Sequence, residues 1–439
     1  MQRNAAPRRN TEVTHGGSPA FPHVSPIQQL RRAVLACLLW EDTFYESGES
    51  IADRIAGLVG KVKPEDVAAL AVEARSEHNL RHVPLLLAVE LAKHARGTGI
   101  VSDTIGKVIQ RADEVAEFLT LYWRDGRTPI AKQVKKGLAA ALRKFDAYQL
   151  AKYDREKAIR LRDVLFMVHA KPKDDAQAAI WKQLVDGTLP APDTWEVALS
   201  GGADKRETFD RMLREGTLGY LALLRNLRNM VEAGVDMQLV RDAVLARKGG
   251  ANRVLPFRYV AAARVVPQLE PVIDQALQAA ISELPALPGR TVVLVDVSGS
   301  MDAKLSGKSD LTRMDAAATL AAVVNCEQLR MFSFSYSLVE VPPRRGMAGV
   351  DALIRSQQHG GTDLAGAITA INRQVPCDRI IVITDEQATT GRVPDPVAPL
   401  AYMVNVASYK NGVGYGKWTH IDGFSEGIIR WIHQAERSD

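Results

Sequence analysis

Apolar residues recur every three or four positions from about residue 26 to residue 284, which is the period of an amphipathic α-helix. Asp, Thr, Pro and Gly interrupt this pattern every 15–25 residues, as expected where helices begin and end. Many helices in series, with no strand pattern between them, predict paired helices that stack into a solenoid or ring. The clearest helical segments are QQLRRAVLACLLW, PEDVAALAVEAR, HVPLLLAVELAKHA, VAEFLTLYW, AKQVKKGLAAALRKF, RDVLFMVHA, GYLALLRNLRNMVEA and LEPVIDQALQAAISEL.

The pattern changes at LPALPGR (residues 284–290), whose prolines and glycine predict a linker. The apolar run TVVLVDVSGSM follows, and β-branched residues without polar alternation are typical of a strand buried on both faces of a parallel sheet. Further strands are predicted in LRMFSFSY (329–336), RIIVITDE (379–386) and LAYMVNVA (400–407). Helical patterns in RMDAAATLAAVVNCE, TDLAGAITAINRQ and FSEGIIRWIHQAE alternate with these strands. We therefore predict a doubly wound α/β domain of about 150 residues after the helical region.

A chain of 439 residues is long enough for two or three domains. We assign a flexible N-terminal arm to residues 1–20, a helical domain to 21–285 and an α/β domain to 286–439. No apolar run approaches the ~18–20 residues of a membrane span, and the N-terminus lacks the apolar region of a secretory signal. The three cysteines, Cys37, Cys326 and Cys377, form no CxxC pair. We therefore expect free thiols and a cytoplasmic location, without membrane association.

Positive charge is concentrated in residues 127–173, called the basic segment below. It contains thirteen Lys and Arg against four Asp and Glu, whereas the whole chain has a net charge of only +5. Such a local excess favours a polyanion-binding face, although basic helices are also often simply solvated. Lys132, Lys135 and Lys136 are spaced to share one helix face. Tyr148 and Tyr153 could stack on bases, but half-buried packing is the commoner role of such tyrosines.

Three clusters of carboxylates and hydroxyls follow the predicted strands or enter a predicted helix. They are DVSGS at residues 296–300, GGTD at 360–363 and TDE at 384–386. In a doubly wound sheet such strand ends meet in one crevice, where ligands bind. An all-oxygen site of this kind suits a hard cation, Mg²⁺ first and Mn²⁺ or Ca²⁺ next. None of the three clusters contains His or Cys, which argues against zinc.

DVSGSM, GGTD and ITDE, in this order, resemble the metal-ion-dependent adhesion site of von Willebrand factor A domains. The resemblance implies that one divalent ion is held by five side chains, some of them through water, and that a partner carboxylate can complete its shell. An empty polar crevice that only caps the sheet is the alternative. The implied ligands are Asp296, Ser298, Ser300, Thr362 and Asp385.

The helical region resembles the TROVE module of the Ro autoantigen family. The similar segments are THGGSPAF, LRRAVLACLLWEDTFYESGE, ARSEHNLRHVPLLLAVELAKH, LAKY, VHAKPKD, LLRNLRNM and LPFRY. The order of helical module and A domain also matches that family. The resemblance implies a ring of HEAT-like helical repeats that binds small noncoding Y RNAs on its outer surface and admits single-stranded RNA ends into a basic central hole. At the position of a family histidine that contacts Y RNA, this sequence has Leu161.

The resemblance also implies that the basic segment supplies phosphate contacts, which give affinity but little sequence specificity. Bacterial members can be tethered to an exoribonuclease such as polynucleotide phosphorylase through a Y RNA. We expect a monomeric, non-catalytic scaffold for RNA quality control or degradation. The candidate RNA contacts are Lys132, Lys135, Lys136, Arg143, Lys144, Lys152, Arg155, Arg160, Arg162 and Lys171.

The sequence suggests two other classes of function. A metal-dependent protein-interaction scaffold or chaperone-like adaptor would use the A domain, but it would not need the localised positive charge. A phosphohydrolase or nuclease could use Asp296 and Asp385, but the first cluster lacks the second aspartate of haloacid dehalogenase-type phosphatases. The chain has no GxxxxGK[ST] phosphate loop, and no Ser/His/Asp or Cys/His set lies on recognisable elements. We therefore expect no intrinsic catalysis.

Overall fold

The computed structural model describes residues 13–20, 24–36, 47–154, 156, 158–254, 256–283, 286–304, 311–407, 409, 411–423 and 427–436. Within these residues no helix combines the length and apolarity needed to cross a membrane. The chain forms two compact units. A helical unit takes the described residues of 49–277, and an α/β unit takes those of 1–37 and 278–439.

The helical unit consists of helices joined by short turns. After α1 (Pro26–Leu35), which belongs to the α/β unit, the helices are α2 (Gly48–Val59), α3 (Pro64–Ser76), α4 (His82–His94), α5 (Gly99–Val108), α6 (Asp113–Tyr122), α7 (Lys132–Leu142), α8 (Ala147–Tyr153), α9 (Leu161–Val168), α10 (Asp175–Asp186), α11 (Trp195–Ser200), α12 (Lys205–Glu215), α13 (Tyr220–Glu232), α14 (Met237–Ala246), α15 (Phe257–Val265) and α16 (Glu270–Ser282).

Local sequence sets the ends of many of these helices. Asp174, Thr194 and Asp204 each accept a hydrogen bond from the backbone N–H three residues later, which satisfies a donor that the first helical turn leaves free. Gly187 and Gly216 follow α10 and α12 in the left-handed conformation that favours glycine. These caps explain why the turns fall at the polar and glycine-rich interruptions of the apolar pattern.

Helix α4 is buried on all sides. Every residue from Val83 to Ala92 is buried, because α3, α5 and α6 all contact it. A helix that is apolar on all sides is one that neighbours cover on all sides. The segment HVPLLLAVELAKH therefore forms the centre of the first half of the helical unit.

The α/β unit contains a six-stranded sheet. Its strands are β1 (Leu287–Asp296), β2 (Cys326–Phe334), β3 (Leu338–Val341), β4 (Arg379–Thr384), β5 (Leu400–Asn405) and β6 (Thr419–Asp422), and its remaining helices are α17 (Arg313–Ala322), α18 (Gly346–Ile354), α19 (Leu364–Gln374) and α20 (Gly427–Ala435). The strand order is β3-β2-β1-β4-β5-β6, with β3 antiparallel to β2 and the other pairs parallel. The order reverses between β1 and β4, so the crevice where ligands bind in such sheets lies at their carboxyl ends.

The predicted fold class, a helical module followed by a doubly wound α/β domain, is confirmed. The four predicted strands correspond to β1, β2, β4 and β5, but the short strands β3 and β6 and the helix α18 were not predicted. Strand β1 begins at Leu287, inside the segment predicted to be a linker. Cys326 and Cys377 are free thiols, as predicted, and Cys37 lies outside the described residues.

The N-terminal segment differs from the domain bounds that we predicted. We placed residues 1–20 in a free arm and 21–36 in the helical domain, whereas the described residues of 13–36 pack with the α/β unit. The Thr14 hydroxyl donates to the Ala388 carbonyl at 2.6 Å, and Arg32 of α1 forms a buried ion pair with Glu386 at 2.8 Å. Contacts between positions more than 350 residues apart leave no local pattern, so they could not be predicted from the sequence.

Candidate metal centre and nucleic-acid interface

The candidate metal ligands lie at the carboxyl ends of β1 and β4. These strands are parallel neighbours, with Val295 opposite Ile383 in the register. Asp296 is the last residue of β1, and Asp385 directly follows the end of β4. The parallel pairing therefore brings two carboxylates that are 89 positions apart in the sequence to the same edge of the sheet.

Hydrogen bonds link four of the five predicted ligands. The Ser300 hydroxyl donates to Asp385 Oδ2 at 2.6 Å, and the hydroxyls of Ser298 and Ser300 lie 3.2 Å apart. Asp296 accepts from the Ser298 backbone N–H at 2.9 Å through Oδ1 and from the Thr384 hydroxyl at 2.6 Å through Oδ2. The structure thus joins the first and third clusters into one site.

The fifth predicted ligand, Thr362, lies in a third loop that contacts the first. The Gly299 N–H donates to the Gly360 carbonyl at 2.8 Å. Thr362 is buried, and its backbone exchanges hydrogen bonds with Thr389, which follows the Asp385 cluster. The GGTD loop is therefore fixed to both of the other clusters.

The two carboxylates are buried and close enough to repel each other. Asp296 and Asp385 are both 0% exposed. Burial, and then the neighbouring charge of Asp385, raise the pKa of Asp296 from 3.8 to about 7. A divalent cation would remove both penalties at neutral pH, so the residues fit such an ion.

The donor set is that of a hard cation. No group of three or more His, Cys, Asp or Glu side chains suited to a metal occurs in the described part of the chain. Two carboxylates with hydroxyls and water are instead the ligands that Mg²⁺ accepts in proteins. Sequence reasoning identified the cluster that contains Thr384 but not its role, which is to hold Asp296 in place through the hydroxyl.

In the helical unit, α7 presents the first three lysines of the basic segment. Val134 and Leu138 of this helix are fully buried, while Lys132 and Lys136 are exposed and Lys135 is half-buried. The lysines therefore lie on the outward side of the helix, as the spacing predicted.

Other residues of the basic segment make intramolecular contacts. Lys144 Nζ donates to the Gly106 carbonyl and, at 2.6 Å, to the Ile109 carbonyl, which satisfies the end of α5. Burial lowers the pKa of Lys144. Arg143 donates to the Lys171 carbonyl at 2.8 Å, and Arg160 pairs with Asp154 at 3.2 Å.

The remaining predicted contacts are placed as follows. Arg162 is half-buried beside Asp163, with their charged atoms 3.9 Å apart, and the side chain of Lys171 is exposed. Arg155 lies outside the described residues. Leu161 is 2% exposed, so its side chain is part of the core and replaces the family histidine with a packing residue.

A cleft of about 810 Å³ opens within the helical unit. Its lining combines cations, aromatic rings and amides with one carboxylate, and it includes Arg75, Arg111, Lys152, Arg225, Tyr148, Tyr153, Trp195, Asn79, Gln110, Gln149, Asn226, Asn229 and Glu196. Lys152 is the one predicted contact that lines it. Tyr148 is 48% exposed there, so its ring is available for stacking rather than buried in packing.

The charges of the cleft are partly compensated. Arg75 is paired with Glu114 at 2.8 Å, and Arg111 with Asp113 at 3.0 Å. No carboxylate of the described residues pairs with Lys152 or Arg225. Lys152 instead has its ammonium 5.7 Å from the centre of the Tyr148 ring and 5.9 Å from that of Tyr153.

Sequence reasoning missed the contribution of α13 to the cleft. Arg225, Asn226 and Asn229 of the segment LLRNLRNM all line it. The signal was present, because Arg and Asn at three- and four-residue spacing interrupt the apolar side of an amphipathic helix. The Asn229 amide donates to Asn226 Oδ1 at 2.9 Å, which orients the two amides.

A second, shallower depression of about 420 Å³ adjoins the basic segment, and it is lined by Trp123, Arg127, Thr128, Pro129, Ile130, Lys135 and Met167. The Arg127 guanidinium lies 5.0 Å from the centre of the Trp123 ring. The predicted contact Lys135 therefore borders an aromatic surface that is separate from the lining of the cleft.

Known proteins resemble this chain in both of its parts. The model of the TROVE domain matches residues 187–288, and the model of the Ro60 vWA domain matches residues 290–403. The RNA-binding protein RO60 of Deinococcus radiodurans is 23% identical over 429 residues, which cover 81% of this chain and 80% of that protein. Mouse telomerase protein component 1 is 28% identical over 149 residues, which cover 32% of this chain and 6% of that protein.

The fold comparison gives the same result. The crystal structure of the D. radiodurans Ro (RSR) protein superposes on 94% of this chain and 100% of that chain, with a TM-score of 0.63 and 18% identity. A TROVE match is thus followed directly by a Ro60-type A domain match, on a fold shared with a Ro protein. This chain is therefore similar to Ro proteins both in the C-terminal part of its helical region and in its A domain.

Proposed function

We propose that this protein binds RNA without cleaving it and that single-stranded RNA enters the cleft of the helical unit. The observation that supports this most directly is the lining of the cleft. Two cations without carboxylate partners in the described residues, Lys152 and Arg225, lie there beside tyrosine and tryptophan rings. Cations that contact the backbone, together with rings that stack on bases, are what sequence-tolerant binding of a single strand requires.

The size and polarity of the cleft agree with this proposal. A volume of about 810 Å³ lies within the range of pockets that enclose ligands of a few hundred daltons, so it accommodates about one or two nucleotides. The half-buried amides of Asn229 and Gln149 line the cleft and offer an acceptor and a donor for base edges. A wide duplex has no exposed base faces for the rings, so the cleft favours a single strand.

The outward lysines of α7 would extend the contact to folded RNA. The relative from D. radiodurans is described as an RNA-binding protein, and the family resemblance implies small noncoding Y RNAs and misfolded RNA ends as the ligands. We assign the phosphates of such RNAs to Lys132, Lys135 and Lys136. An RNA held at both places would be retained for quality control or handed to an exoribonuclease such as polynucleotide phosphorylase, in the cytoplasm and by a monomer of this chain.

The A domain would supply a metal-dependent contact. Asp296, Ser298, Ser300, Thr362 and Asp385 would hold one divalent ion, Mg²⁺ first. When bound, this ion would offer an open coordination position to a carboxylate oxygen of a protein partner. The burial of two mutually repelling carboxylates supports the assignment. A protein-interaction scaffold is therefore a second function of the same chain.

Catalysis by the metal centre is not part of the proposal. The Ser300 hydroxyl donates to a carboxylate rather than to a histidine. His359, on the loop beside Gly299, has one ring nitrogen 3.1 Å from Asp302 and the other 2.9 Å from the Ile354 carbonyl. With both nitrogens engaged it is poorly placed to act as a general base.

The test compares two arginines of the same helix. Arg225 lines the cleft, whereas the exposed Arg228 lies outside the lining, 3.8 Å from Glu232. Fluorescence anisotropy would measure the affinity of the full chain for an RNA hairpin with a single-stranded 3′ tail and for a blunt hairpin. We expect Arg225→Ala to weaken tailed RNA about tenfold and Arg228→Ala to change it little, because a lost phosphate contact costs about 1–2 kcal/mol. Equal effects of the two variants, or equal affinity for tailed and blunt RNA, would contradict the proposal.

A further inference from the structure

A buried arginine of the N-terminal segment is connected to the candidate metal centre within the α/β unit. Arg32 of α1 is 0% exposed. Its Nη1 lies 2.8 Å from Glu386 Oε1, and the rest of the guanidinium donates to the carbonyls of Tyr409 and Asn411. Glu386 directly follows Asp385, one of the two candidate carboxylate ligands.

Glu386 is held from several directions at once. Its Oε2 accepts from the backbone N–H of Val413 at 2.6 Å and of Gly414 at 2.7 Å, and His420 bonds to its Oε1. The backbone of Glu386 has φ +59°, a left-handed conformation that is strained for a residue with a side chain. Such a conformation persists only where the surroundings enforce it, and the ion pair with Arg32 is part of that enforcement.

The same residue is linked to the other carboxylate ligand. The Glu386 backbone N–H donates to the Thr384 hydroxyl at 3.0 Å, and that hydroxyl donates to Asp296 Oδ2 at 2.6 Å. Glu386 thus orients the hydroxyl that fixes Asp296, while its own backbone turn sets the position of Asp385. Both carboxylates depend on one loop.

The N-terminal segment forms hydrogen bonds with this loop at two further positions. The His15 backbone N–H donates to Gln387 Oε1 at 2.7 Å, and the Thr14 hydroxyl donates to the Ala388 carbonyl at 2.6 Å. Gln387 in turn donates its backbone N–H to Asp385 Oδ1 at 3.0 Å. Residues 386–388 are therefore clamped from the amino-terminal end of the chain.

We propose that Arg32 is a positioning residue for the metal centre, acting through Glu386 on the loop that holds Asp385 and Asp296. The inference rests on the proposed metal function. Partners in the layer behind metal ligands fix ligand orientation, and their loss typically costs 10–100-fold in metal affinity. Because the coupling of two binding events is reciprocal, the ion must also strengthen the docking of α1 on this loop.

The direction in which metal affinity changes on removal of Arg32 shows whether this residue acts by positioning the loop or by its charge. Arg32 carries a positive charge close to the cation site, so its removal would tighten cation binding if charge alone mattered. If Arg32 positions the loop, its removal should instead weaken cation binding. We expect Arg32→Met to bind Mn²⁺ 10–100-fold more weakly than the wild type, measured by calorimetric titration of the full chain.

A matched control is available in the same sheet. Arg379 is 1% exposed and pairs with Glu436, which is 9% exposed, but it lies at the first residue of β4, at the opposite end of the strand from Asp385. Arg379→Met also removes a buried ion pair and should leave Mn²⁺ affinity within about threefold of the wild type. Thermal unfolding of both variants measures their loss of stability.

The outcomes distinguish the two proposals. No Mn²⁺ binding by the wild type overturns the proposed metal function itself. Binding by the wild type with equal or tighter binding by Arg32→Met overturns only the positioning role, as does an equal loss in Arg379→Met. If Arg32→Met is unfolded at the assay temperature, Arg32→Lys is measured instead, because lysine keeps the charge but cannot reach Glu386 and both carbonyls. If Arg32→Lys binds Mn²⁺ as tightly as the wild type, the positioning role of Arg32 is overturned. Hydrogen exchange of residues 26–35 should slow on addition of Mn²⁺ to the wild type, and an unchanged rate would contradict the coupling.

Discussion

Replacement of Asp296 by Asn should make the metal-free protein more stable while it removes metal binding. Asparagine keeps the shape of the side chain and an oxygen that accepts from the Ser298 N–H. It carries no charge, so the repulsion by Asp385 and the burial of a carboxylate both disappear. The asparagine amide nitrogen cannot accept from the Thr384 hydroxyl as Asp296 Oδ2 does, and this loss offsets about 1 kcal/mol of the gain. Functional sites often lower the stability of the fold when their ligand is not bound.

The size of this gain in stability follows from the pKa of Asp296. Burial, and then Asp385, raise it from 3.8 to about 7, and each pKa unit corresponds to about 1.4 kcal/mol. A carboxyl group whose folded pKa is raised stabilises the fold below pH 3.8, and this stabilisation is lost as the pH rises to about 7. At pH 8 the metal-free wild type should therefore bear a penalty of about 4 kcal/mol from this pair of carboxylates, as an upper bound, which Asp296→Asn relieves.

Denaturant unfolding in EDTA and in excess Mg²⁺ at pH 5 and pH 8 measures both effects. In EDTA the variant should be more stable than the wild type at pH 8, and the difference should shrink at pH 5. Magnesium at 100 times its dissociation constant should stabilise the wild type by about 2.7 kcal/mol and the variant hardly at all. A variant that is less stable than the wild type in EDTA at pH 8 would contradict the repulsion between the two carboxylates. Equal stabilisation of both proteins by Mg²⁺ would contradict the assignment of Asp296 as a metal ligand.

Three further predictions concern RNA. Replacement of Lys132, Lys135 and Lys136 together by Ala should flatten the slope of log affinity against log salt by about two to three, because each phosphate contact contributes about 0.7–0.9 to that slope. The control is a triple alanine variant of the A domain at Lys304, Arg344 and Arg345, which should keep the wild-type slope. Tyr148→Ala should weaken the binding of tailed RNA about 5–150-fold, since stacking on one base is worth about 1–3 kcal/mol. An unchanged affinity in anisotropy titrations would return this ring to a packing role. The purified chain should leave labelled RNA intact with Mg²⁺ or Mn²⁺ on a denaturing gel, and cleavage that disappears in Asp296→Asn would establish an enzyme instead.

Local patterns predicted most elements of the fold and the grouping of the candidate metal ligands. The period of the apolar residues identified α3, α4, α7 and α13 nearly to the residue, because helical periodicity and capping are properties of short segments. Asp296 and Asp385 could be paired from sequence, since the strand-end rule for parallel sheets needs only the order of the strands. The antiparallel β3 and the edge strand β6 escaped prediction because each has only four residues.

The contacts between distant segments could not be predicted. Nothing around Arg32 distinguishes a surface arginine of an amphipathic helix from one that is buried against Glu386. The cleft likewise takes residues from several helices, and only Lys152 and the two tyrosines among them drew attention through the local charge pattern. The charge pattern also gave no sign that Lys144, one of the predicted RNA contacts, donates to the carbonyls at the end of α5.

Ultraviolet crosslinking of bound RNA to the full chain, followed by mass spectrometry of the modified peptides, would show whether the cleft of the helical unit holds the RNA. The protein would be purified from its own cells with the RNA that it retains, so that the sequence of that RNA is obtained in the same experiment. We expect crosslinks on the peptides that contain Tyr148, Tyr153 or Trp195, to small structured RNAs with single-stranded ends. Crosslinks confined to residues 286–439, or a protein that retains no RNA, would overturn the proposed RNA-binding function.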